Sequence, residues 1–494
     1  MKRGALAELA PRYDLVIIGG GITGAGILLE AARTGATALL LEQNDFASGA
    51  SSGSSKLVHG GLRYLKSGQW RLTLESVRER GRLLREVPDL VEALAFMMPI
   101  YRGESPGKAA MRLGLWIYDR MAGAGKSRWA EAAEAVRIEP QIRREGLLGA
   151  MLYDDARTND ARLVMSLIVE ACAAGATARN YTRVTGLLKA DGRTRGVSVR
   201  DADGATREIE AGIVIDATGA VAGELQSDGS APRLRPLRGS HFIFAHDKLP
   251  VGRAVSWSHP RDRRPVFAYP WEGVTLYGTT DLDHDAPDDA PPRMSAAESD
   301  YLIEGLAHQF PGLKLGAGDA LSCYSAVRPV VAGGKADPSA ESRESAMWSA
   351  PGLVGIAGGK LTTFRVTARQ VLRRAARQQP KLMPAADAPL FPAPTGSALR
   401  TQTRTTEDLG LAGTKYSLTK LRWAARHEQV VHLDDLMLRR TRLGLVTPAG
   451  GRVLLSGLQP VCRQELGWSE PQWREEEKRY LELWQANHAP AGRG

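Results

Sequence analysis

The sequence has few cysteines and no long hydrophobic segment. Its 494 residues include three cysteines, Cys172, Cys323 and Cys462, which are far apart and lack the pair spacing of zinc or redox sites. We therefore expect no metal site and a reducing, cytoplasmic compartment. No apolar run approaches the roughly 20 residues that cross a bilayer, and the first apolar stretch is too short for a secretory signal. Any membrane contact is expected to be peripheral.

The charge balance is strongly basic. Sixty-five lysines and arginines against 55 acidic residues give a net charge of +10 and a pI near 9.5. This sign favours anionic partners, such as phosphorylated substrates, nucleic acid or acidic lipid, without choosing among them. The hydrophobic share of 43% over this length allows a substantial core and more than one domain.

A β-α-β pattern occupies the start of the chain. Residues 13 to 18 (YDLVII) form a short run of branched apolar residues, which predicts a buried parallel strand. Residues 22 to 35 carry helix formers and end at a glycine suited to a C-cap, and residues 37 to 42 (TALLLE) predict a second buried strand.

Between the first strand and the helix, residues 19 to 24 satisfy G-x-G-x-x-G. In this motif Gly19 allows the tight turn, Gly21 lets the backbone approach a pyrophosphate, and Gly24 packs helix on strand. The helix N-terminus then faces phosphates with its positive end, and Glu42 can accept hydrogen bonds from ribose hydroxyls. The flanking strand and helix favour a dinucleotide site over a simple glycine turn beside a solvated carboxylate. Its predicted contacts are Gly19, Gly20, Gly21, Ile22, Thr23, Gly24, Glu42 and Gln43.

The next informative segment is SGASSGSSKLVHGGLRYL at residues 48 to 65. Serines and glycines surround Lys56, His59 and Arg63, so the segment can hydrogen-bond a cofactor while its backbone approaches closely. Composition alone also fits a flexible surface loop.

Later segments predict two further domains. Residues 183 to 211 indicate an antiparallel meander with turns at Asp191-Gly192 and Asp203-Gly204, and residues 212 to 219 a strand that returns to the first sheet. The region that follows is rich in strands and leads to a proline-rich linker and a helical module. The predicted boundaries are residues 12–82, 151–232 and 348–380 for the nucleotide-binding domain, 83–150 for a connecting and substrate-contact segment, 233–347 for the substrate domain, 381–400 for the linker and 401–494 for a C-terminal helical domain.

The expected fold class is therefore α/β, with a Rossmann-type domain of parallel sheet plus β-meander, a mostly antiparallel substrate domain and a C-terminal helical domain. Several motifs, in this order, resemble the FAD-dependent glycerol-3-phosphate dehydrogenases over nearly the whole chain. They are the glycine fingerprint, SSGSSKLVHGGLRYL at 51–65, the acidic stretch within 154–164, RGSHFIF at 238–244, PW with YGTTD within 270–281, SAVRPVV at 325–331, AGGKLTTFR at 357–365 and RHEQVVHLDDLMLRRTRLGL at 426–445.

The resemblance implies FAD as cofactor and oxidation of sn-glycerol 3-phosphate to dihydroxyacetone phosphate, with hydride transfer from C2 to FAD. It also implies electron delivery to a quinone, with peripheral contact on the inner face of an anionic membrane. A homodimer is a further expectation. The cofactor contacts that it adds are Ser51, Ser52, Ser55, Lys56, His59, Gly60, Gly61, Ala217, Thr218, Gly219, Gly358, Gly359, Lys360, Leu361 and Thr362.

The resemblance also assigns substrate and catalytic roles. Arg63, Arg328 and Arg343 match positions around the substrate, where a guanidinium suits bidentate phosphate or alkoxide contacts. His241 is the expected proton acceptor because neutral imidazole accepts a proton near neutral pH, although Arg328 could instead polarise the hydroxyl. Tyr64 is expected to line the substrate site.

Lys360 is expected to be catalytic, together with His241, Arg328 and Arg63. Together with the positive end of the helix that follows Gly358 and Gly359, its ammonium could stabilise the anionic reduced flavin. An ordinary helix that begins at a glycine pair is the alternative.

The sequence departs from the family pattern at two places. ATGPW appears as ATGAV at residues 217 to 221, and a usual acidic residue after RYL is Lys66. Two other functions stay open: a related hydroxy- or amino-acid oxidase that uses oxygen, and a flavin-binding module that docks to nucleic acid or membrane through its basic helices. No recognised nucleic-acid motif is present, so we expect no nucleic-acid partner.

Overall fold

The structure is a computed structural model. It describes residues 1, 3–62, 68–123, 127–226, 229–284, 291–334, 341, 344–385, 388–391 and 414–491. The strands, in chain order, are β1 (Arg12–Ile18), β2 (Ala38–Leu41), β3 (Val91–Tyr101), β4 (Arg128–Glu131), β5 (Leu147–Thr158), β6 (Thr177–Arg179), β7 (Thr182–Ala190), β8 (Arg193–Asp201), β9 (Thr206–Asp216), β10 (Leu234–Ala245), β11 (Ala254–Ser258), β12 (Pro265–Trp271), β13 (Val274–Gly278), β14 (Leu282–Asp283), β15 (Ala320–Val331), β16 (Ala346–Ala350) and β17 (Leu353–Ala357).

The α-helices alternate with strands in the first third of the chain and dominate its end. They are α1 (Ile22–Ala32), α2 (Trp70–Glu86), α3 (Lys108–Ala122), α4 (Ala132–Ile138), α5 (Asp160–Ala173), α6 (Ala296–Gln309), α7 (Phe364–Ala375), α8 (Leu418–His427), α9 (Leu443–Val446), α10 (Leu455–Leu466) and α11 (Glu470–Asn487). None of the described helices combines the length and apolar character needed to cross a membrane.

The first sheet has the strand order β16-β17-β9-β1-β2-β6, and its strands run parallel from β17 to β6. Strands β1 and β2 are buried along nearly their whole length because helices cover this sheet. Helices α1, α5 and α7 share one hydrophobic core with it, in which Leu28, Val164 and Val371 meet Leu40 and Ile215. The predicted parallel nucleotide-binding sheet is confirmed.

The predicted meander is also present, with one difference. The turn between β7 and β8 has positive φ at both Asp191 and Gly192, as a two-residue hairpin turn requires. The last part of the predicted meander and the predicted strand 212–219 are instead one strand, β9, which pairs with β8 on one side and with β1 and β17 through its second half. A Cβ on Gly212 would lie 2.8 Å from the carbonyl oxygen of Asp14, so this glycine allows a close backbone approach and does not end the strand.

The second sheet follows the order β14-β10-β13-β12-β11-β3-β5-β4, with β15 also paired to β10. All of its pairs are antiparallel except β11 with β3. Strand β5 belongs to this sheet, although the predicted boundary at residue 150 falls inside it. The cause is long-range pairing with β3, which local sequence patterns do not reveal. The mostly antiparallel character of the second sheet is confirmed.

Side-chain alternation on β10 separates the two faces of this sheet. Phe242 and Phe244 point into a core with Leu302 and Leu306 of α6. His241 therefore points to the opposite face, towards the first sheet and the terminal helices.

The terminal helices share a core with the second sheet. Leu436, Leu443 and Trp484 pack in the same cluster as Tyr269 and Trp271. The segment Asp435–Arg440 is a π-helix, and its side chains are buried. The expected C-terminal helical domain is confirmed as a helical module in close contact with the rest of the fold.

The described part of the proline-rich linker packs onto the first domain. Leu382, Leu390 and Phe391 are buried in the core of the first sheet. The guanidinium of Arg33 donates to the carbonyl of Pro389 at 2.8 Å, and that of Arg369 to the carbonyl of Ala385 at 2.7 Å. This part of the segment is held in place and is not a free spacer.

Candidate cofactor and active site

A cavity of about 1630 Å³ runs between the two sheets and the C-terminal module. One region of its wall is formed by the glycine turn after β1 and by the end of β2. Another region is formed by β15, including Arg328 and the neighbouring Ser325. The carboxyl ends of the parallel strands and the inner face of the second sheet thus face one space, as at the switch point of an open α/β sheet.

The glycine turn has the geometry that the motif predicts. Gly19 has a φ of +111°, and a Cβ there would lie 2.4 Å from the carbonyl oxygen of Ala217. A Cβ on Gly24 would lie 1.9 Å from the carbonyl oxygen of Gly19, so only glycine allows the helix to pack this closely. Gly21 is the N-cap of α1, and the next amide, that of Ile22, donates to Ser51 Oγ at 2.9 Å.

Glu42 is held at the end of β2 by two backbone donors. The amide of Gly20 lies 2.7 Å from Oε2, and the amide of Asn44 lies 2.9 Å from Oε1. Burial raises the pKa of Glu42, partly offset by these hydrogen bonds. The carboxylate is fixed on the cavity wall, where a diol can bind it.

The loop that carries Glu42 is tied to the C-terminal module by buried ion pairs. Asp45 Oδ2 and Oδ1 accept from the two terminal nitrogens of Arg440 at 2.6 and 2.7 Å, and Asp45 also accepts from Arg439. Burial alone would raise the pKa of Asp45, but the charges of Arg440 and Arg439 outweigh it and hold that pKa below its usual value. Arg439 is shared with Asp435, whose Oδ1 lies 2.5 Å from it.

A second buried cluster lies under the serine-rich loop. Lys56 Nζ is 3.1 and 3.2 Å from the two carboxylate oxygens of Asp160, and Arg442 donates to the same carboxylate. The side chains of Lys56 and Asp160 are fully buried. Burial lowers the pKa of Lys56 to about 7, against the attraction of Asp160. Ser54 Oγ adds a hydrogen bond of 2.7 Å to the carboxylate.

His241 lies one layer behind the cavity wall. Its Nε2 is 2.9 Å from Ser55 Oγ, and its ring stacks on that of Tyr324 with centroids 4.8 Å apart. Burial, reinforced by the positive charges of Arg328 and Lys56, holds the pKa of His241 well below its usual 6.5. The imidazole is therefore neutral at physiological pH and reaches the cavity through the hydroxyl of Ser55, which is on the wall.

Arg328 projects from β15, on the same face as Tyr324. One terminal nitrogen donates to Asp281 Oδ1 at 2.9 Å, and the other to Thr279 Oγ1 at 2.9 Å. A Cβ on Gly239 would lie 2.1 Å from this guanidinium, so the glycine on β10 leaves room for it. These contacts fix a planar cation on the cavity wall.

The HGG segment is held by polar side chains of other elements. The backbone amide of Gly60 donates to Tyr118 Oη at 2.9 Å and to Asp155 Oδ1 at 3.2 Å. Arg80 of α2 completes this cluster through a 2.8 Å bond to Asp155 Oδ1. Thr362, beyond the glycine pair of the return strand, donates to the carbonyl of His59 at 3.4 Å.

The glycine pair after β17 closes the cavity on the side of the first sheet. Gly358 and Gly359 have φ values of +75° and +94°, which a residue with a side chain rarely adopts. Lys360 follows on the wall, and its Nζ lies 3.4 Å from Ser76 Oγ of α2. Helix α7 begins four residues later, which also fits the alternative that the glycine pair only begins an ordinary helix.

Most of the described residues that the sequence singled out lie on this one cavity wall. They are Gly19, Gly21, Ile22, Thr23, Glu42, Gln43, Ser51, Ser52, Ser55, His59, Gly61, Ala217, Thr218, Gly219, Arg328, Gly358, Gly359, Lys360, Leu361 and Thr362.

Other candidates lie off the wall or outside the described residues. Those off the wall are Gly20, Gly24, Lys56, Gly60 and His241. For Lys56 the reason is its buried ion pair with Asp160, which directs the ammonium away from the cavity. Arg63, Tyr64, Lys66 and Arg343 lie outside the described residues.

Sequence reasoning missed several residues that shape the site. Tyr324 lines the cavity, stacks on His241 and donates to the carbonyl of Ser54 at 2.9 Å. Asp155 and Asp160 hold the loops on either side of Ser55. Both aspartates lie in the acidic stretch at 154 to 164. The signal that could have indicated their role was the presence of these charges at the end of a strand-like segment.

The donor set fits a dinucleotide. A long cavity begins at a glycine turn with a helix N-terminus, has a fixed carboxylate at the end of the second strand and continues to a second glycine pair. These are the features that bind a pyrophosphate, a ribose and a ring system in turn.

Two family models match the chain. The one described as FAD dependent oxidoreductase matches residues 14 to 373, and the one described as the C-terminal domain of alpha-glycerophosphate oxidase matches residues 397 to 473. The protein belongs to the FAD dependent oxidoreductase family, and its cofactor is FAD.

Its similar relatives include the aerobic glycerol-3-phosphate dehydrogenase of Staphylococcus epidermidis, 38% identical over 369 residues. The Bacillus subtilis protein of the same name is 37% identical over 374 residues. Each match covers 73% of this chain and 66% of the relative, so the aligned part is just under two thirds of their length.

Solved structures agree with this family. The glycerol-3-phosphate dehydrogenase from Bacillus halodurans complexed with FAD has a TM-score of 0.72 at 25% identity, covering 96% of this chain and 94% of that one. Glycine oxidase from Geobacillus kaustophilus has a TM-score of 0.57 at 20% identity, covering 77% of this chain and 100% of that one, which is a likeness of fold.

Proposed function

We propose that this protein oxidises sn-glycerol 3-phosphate to dihydroxyacetone phosphate. The observation that carries the proposal is the placement of Arg328 and of the Ser55–His241 pair around the cavity that begins at the dinucleotide turn. The names of the similar aerobic glycerol-3-phosphate dehydrogenases, and the match to the C-terminal domain of alpha-glycerophosphate oxidase, support the choice of substrate.

The residues around the cavity would hold FAD along its length. The amides at the start of α1 would face the pyrophosphate, Glu42 would bind the ribose, and the segments Ala217–Gly219 and Gly358–Thr362 would contact the remaining groups. Bound FAD supplies the two-electron acceptor for a hydride from C2 of the substrate. Lys360 would place a positive charge beside that acceptor.

Proton removal would use Ser55 and His241. In the tautomer that carries its hydrogen on Nδ1, His241 Nε2 accepts a hydrogen bond from Ser55 Oγ across 2.9 Å. The substrate hydroxyl would give its proton to Ser55 as the serine proton moves to His241, so the charge ends on the imidazole. Arg328 would bind the phosphate or stabilise the developing alkoxide by paired N–H donors. Arg63, Tyr64 and Arg343 remain proposed partners in substrate binding.

Anaerobic reduction of the bound flavin tests the proposal. Glycerol 3-phosphate is expected to bleach the yellow absorbance of the bound oxidised flavin, which reports its reduction. Glycerol, lactate, glycine and sarcosine serve as the comparison panel. Bleaching by glycine or lactate, with no response to glycerol 3-phosphate, would support a hydroxy- or amino-acid oxidase instead, an alternative that the fold of glycine oxidase makes worth including.

The electron acceptor, membrane contact and assembly belong to the same proposal. We propose a quinone as final acceptor, a cytoplasmic protein held peripherally on an anionic membrane, and a homodimer. Turnover with a quinone analogue well above turnover with oxygen is the expected result, and sedimentation equilibrium of the FAD-loaded protein measures the assembly. The basic charge of the chain supports the contact with anionic lipid.

The small residue opposite Arg328 gives a specific prediction. In Gly239→Ala the new methyl group displaces the guanidinium, so KM for glycerol 3-phosphate is expected to rise about 10- to 100-fold, the value of a hydrogen bond to a charged group. Flavin content should stay at the wild-type level. The matched control is Gly457→Ala, because nothing lies within 4 Å of a Cβ at that position. An unchanged KM in Gly239→Ala would contradict the assigned role of Arg328.

A further inference from the structure

A bulge of one residue interrupts the second sheet where β13 gives way to β14. Strand β10 pairs His241 with Gly278 of β13 and Arg238 with Leu282 of β14. Between these pairs β10 has two residues, whereas the opposite chain has three, residues 279–281. An extra residue of this kind changes which side chains face each side of the sheet.

Arg328 contacts the first and last residues of this bulge on the cavity side of the sheet. Its two terminal nitrogens donate to Thr279 Oγ1 and to Asp281 Oδ1, each at 2.9 Å. A Cβ on Gly278 would lie 2.3 Å from the ring of His241, so Gly278 also faces the cavity side. Consecutive residues on one side break the regular alternation of a strand. The orientation of the guanidinium therefore depends on the conformation of the bulge.

The middle residue of the bulge, Thr280, is held from the opposite side of the sheet by Glu298 of α6. Thr280 Oγ1 donates to Glu298 Oε1 at 2.7 Å and accepts from the amide of Ser240 at 2.9 Å. Ser240 Oγ donates to the same carboxylate oxygen at 2.8 Å. The guanidinium of Arg238 donates to Oε2 at 2.9 Å. Both β10 residues alternate with His241, so they face α6 and not the cavity.

The Glu298 carboxylate carries its charge although its side chain is fully buried. Burial raises its pKa, but the surrounding hydrogen bonds, including those from Thr280 and Ser240, outweigh it and hold the pKa below its usual value. An ionised carboxylate only accepts, so both hydroxyls must donate to it. Thr280 cannot turn towards the cavity without removing a donor from this buried charge, which is costly.

We propose that Glu298 is a positioning residue for Arg328. By holding Thr280 from the far side of the sheet, Glu298 keeps Thr279 and Asp281 at the guanidinium. Glu298 itself does not line the cavity. Without it the bulge would relax and the cation would shift on the cavity wall, and a displacement of about 1 Å can cost roughly 100-fold in rate. The inference rests on the substrate-binding role of Arg328 in the proposed function.

Kinetics of the FAD-loaded full chain with glycerol 3-phosphate test this role. Glu298→Gln places an N–H donor among donors, and Thr280→Val removes the hydroxyl that the carboxylate holds. Each is expected to lower kcat/KM roughly 10- to 100-fold, with a higher KM. FAD content should stay at the wild-type level, because neither residue lines the cavity. Thr280→Ser keeps the hydroxyl and should restore wild-type kinetics.

The matched control is Ser295→Ala. Ser295 Oγ caps α6 and donates to Glu298 Oε2 at 3.0 Å, but it does not contact Thr280. This variant should lower the melting temperature, because α6 loses its cap, and leave kcat/KM near wild type. If Ser295→Ala lowers kcat/KM as much as Glu298→Gln, the effect comes from helix stability and the proposal is overturned.

A double-variant cycle shows whether Glu298 acts through Arg328. In an Arg328→Lys background, Glu298→Gln should have little further effect on kcat/KM, because the guanidinium that it orients is gone. Losses that multiply would overturn the proposal. Wild-type kinetics in both Glu298→Gln and Thr280→Val would also overturn it.

The comparison panel of substrates separates this inference from the proposed function. If glycine or lactate bleaches the wild-type flavin and glycerol 3-phosphate does not, the proposed substrate is wrong. The same variants are then compared with the active substrate, whose carboxylate a guanidinium also binds. A loss in Glu298→Gln and Thr280→Val, but not in Ser295→Ala, would support the positioning role with either substrate.

Discussion

Asp160→Ala is expected to lower the free energy of unfolding by about 3 to 5 kcal/mol, the cost of breaking a buried charge cluster from one side. The carboxylate neutralises Lys56 and Arg442, whose side chains are 0% and 2% exposed. Lys56 can release its proton, because its pKa is already about 7. Arg442 cannot, so its charge stays buried without its partner.

Chemical unfolding followed by flavin release and by tryptophan emission measures this effect. The matched control is Glu75→Ala, which breaks the exposed pair with Arg71 and should cost below about 1 kcal/mol. Adding Arg442→Met to Asp160→Ala should recover part of the loss, since it removes the stranded charge. If Asp160→Ala and Glu75→Ala lower the free energy of unfolding equally, Asp160 does not neutralise the buried charges of Lys56 and Arg442.

His241→Ala is expected to reduce kcat for glycerol 3-phosphate by about 10²- to 10⁴-fold, the range for losing a general base. FAD should remain bound, because the histidine lies behind the wall and contacts Ser55. Rapid mixing under anaerobic conditions measures the flavin reduction step directly. Ser55→Ala should lower the same rate, since it removes the hydroxyl between His241 and the cavity.

The pH dependence of the flavin reduction rate tests whether His241 acts as a proton acceptor. A proton acceptor must be neutral, and the pKa of His241 is held well below 6.5 by burial and nearby cations. The reduction rate should therefore persist as the pH falls through 6.5 and decline only when the depressed pKa is reached. His259 is the matched control, a buried histidine off the cavity wall whose Nε2 contacts the carbonyl of Tyr301 at 2.7 Å. If His259→Ala and His241→Ala slow reduction equally, the assigned role of His241 is wrong.

Local patterns predicted the glycine turn and its flanking strand and helix well. The glycine motif works because Gly21 and Gly24 meet their constraints within a few residues, at the helix start and against the carbonyl oxygen of Gly19. Glu42 follows for the same reason, because it comes directly after the apolar run that forms β2. The meander turn at Asp191-Gly192 was equally local.

Contacts between distant segments could not be predicted in the same way. Ser55 and His241 are 186 residues apart, and Asp160 and Arg442 are 282 apart. The resemblance predicted Lys56 as a cofactor contact, whereas in the fold its ammonium pairs with Asp160 on another element. Register across β10 and β15, which brings His241 beside Tyr324, depends on the assembled sheet.

The basic stretch at 436 to 445 shows the same limit. Its arginines are typical of a solvated or packed face and were also compatible with docking to nucleic acid. In the fold Arg439, Arg440 and Arg442 are buried against Asp45 and Asp160. These three side chains are used inside the molecule, which counts against the docking interpretation.

The contact between Asp45 and Arg440 has a consequence for synthesis on the ribosome. The two residues are 395 positions apart, so at 5 to 20 residues per second the aspartate waits roughly 20 to 80 s for its partner. During that interval the Asp45 carboxylate of the growing chain stays hydrated, whereas in the finished protein it forms a buried ion pair. We therefore expect tight capture of FAD to follow release of the finished chain, and ribosome-bound intermediates that end before residue 439 to bind the flavin weakly.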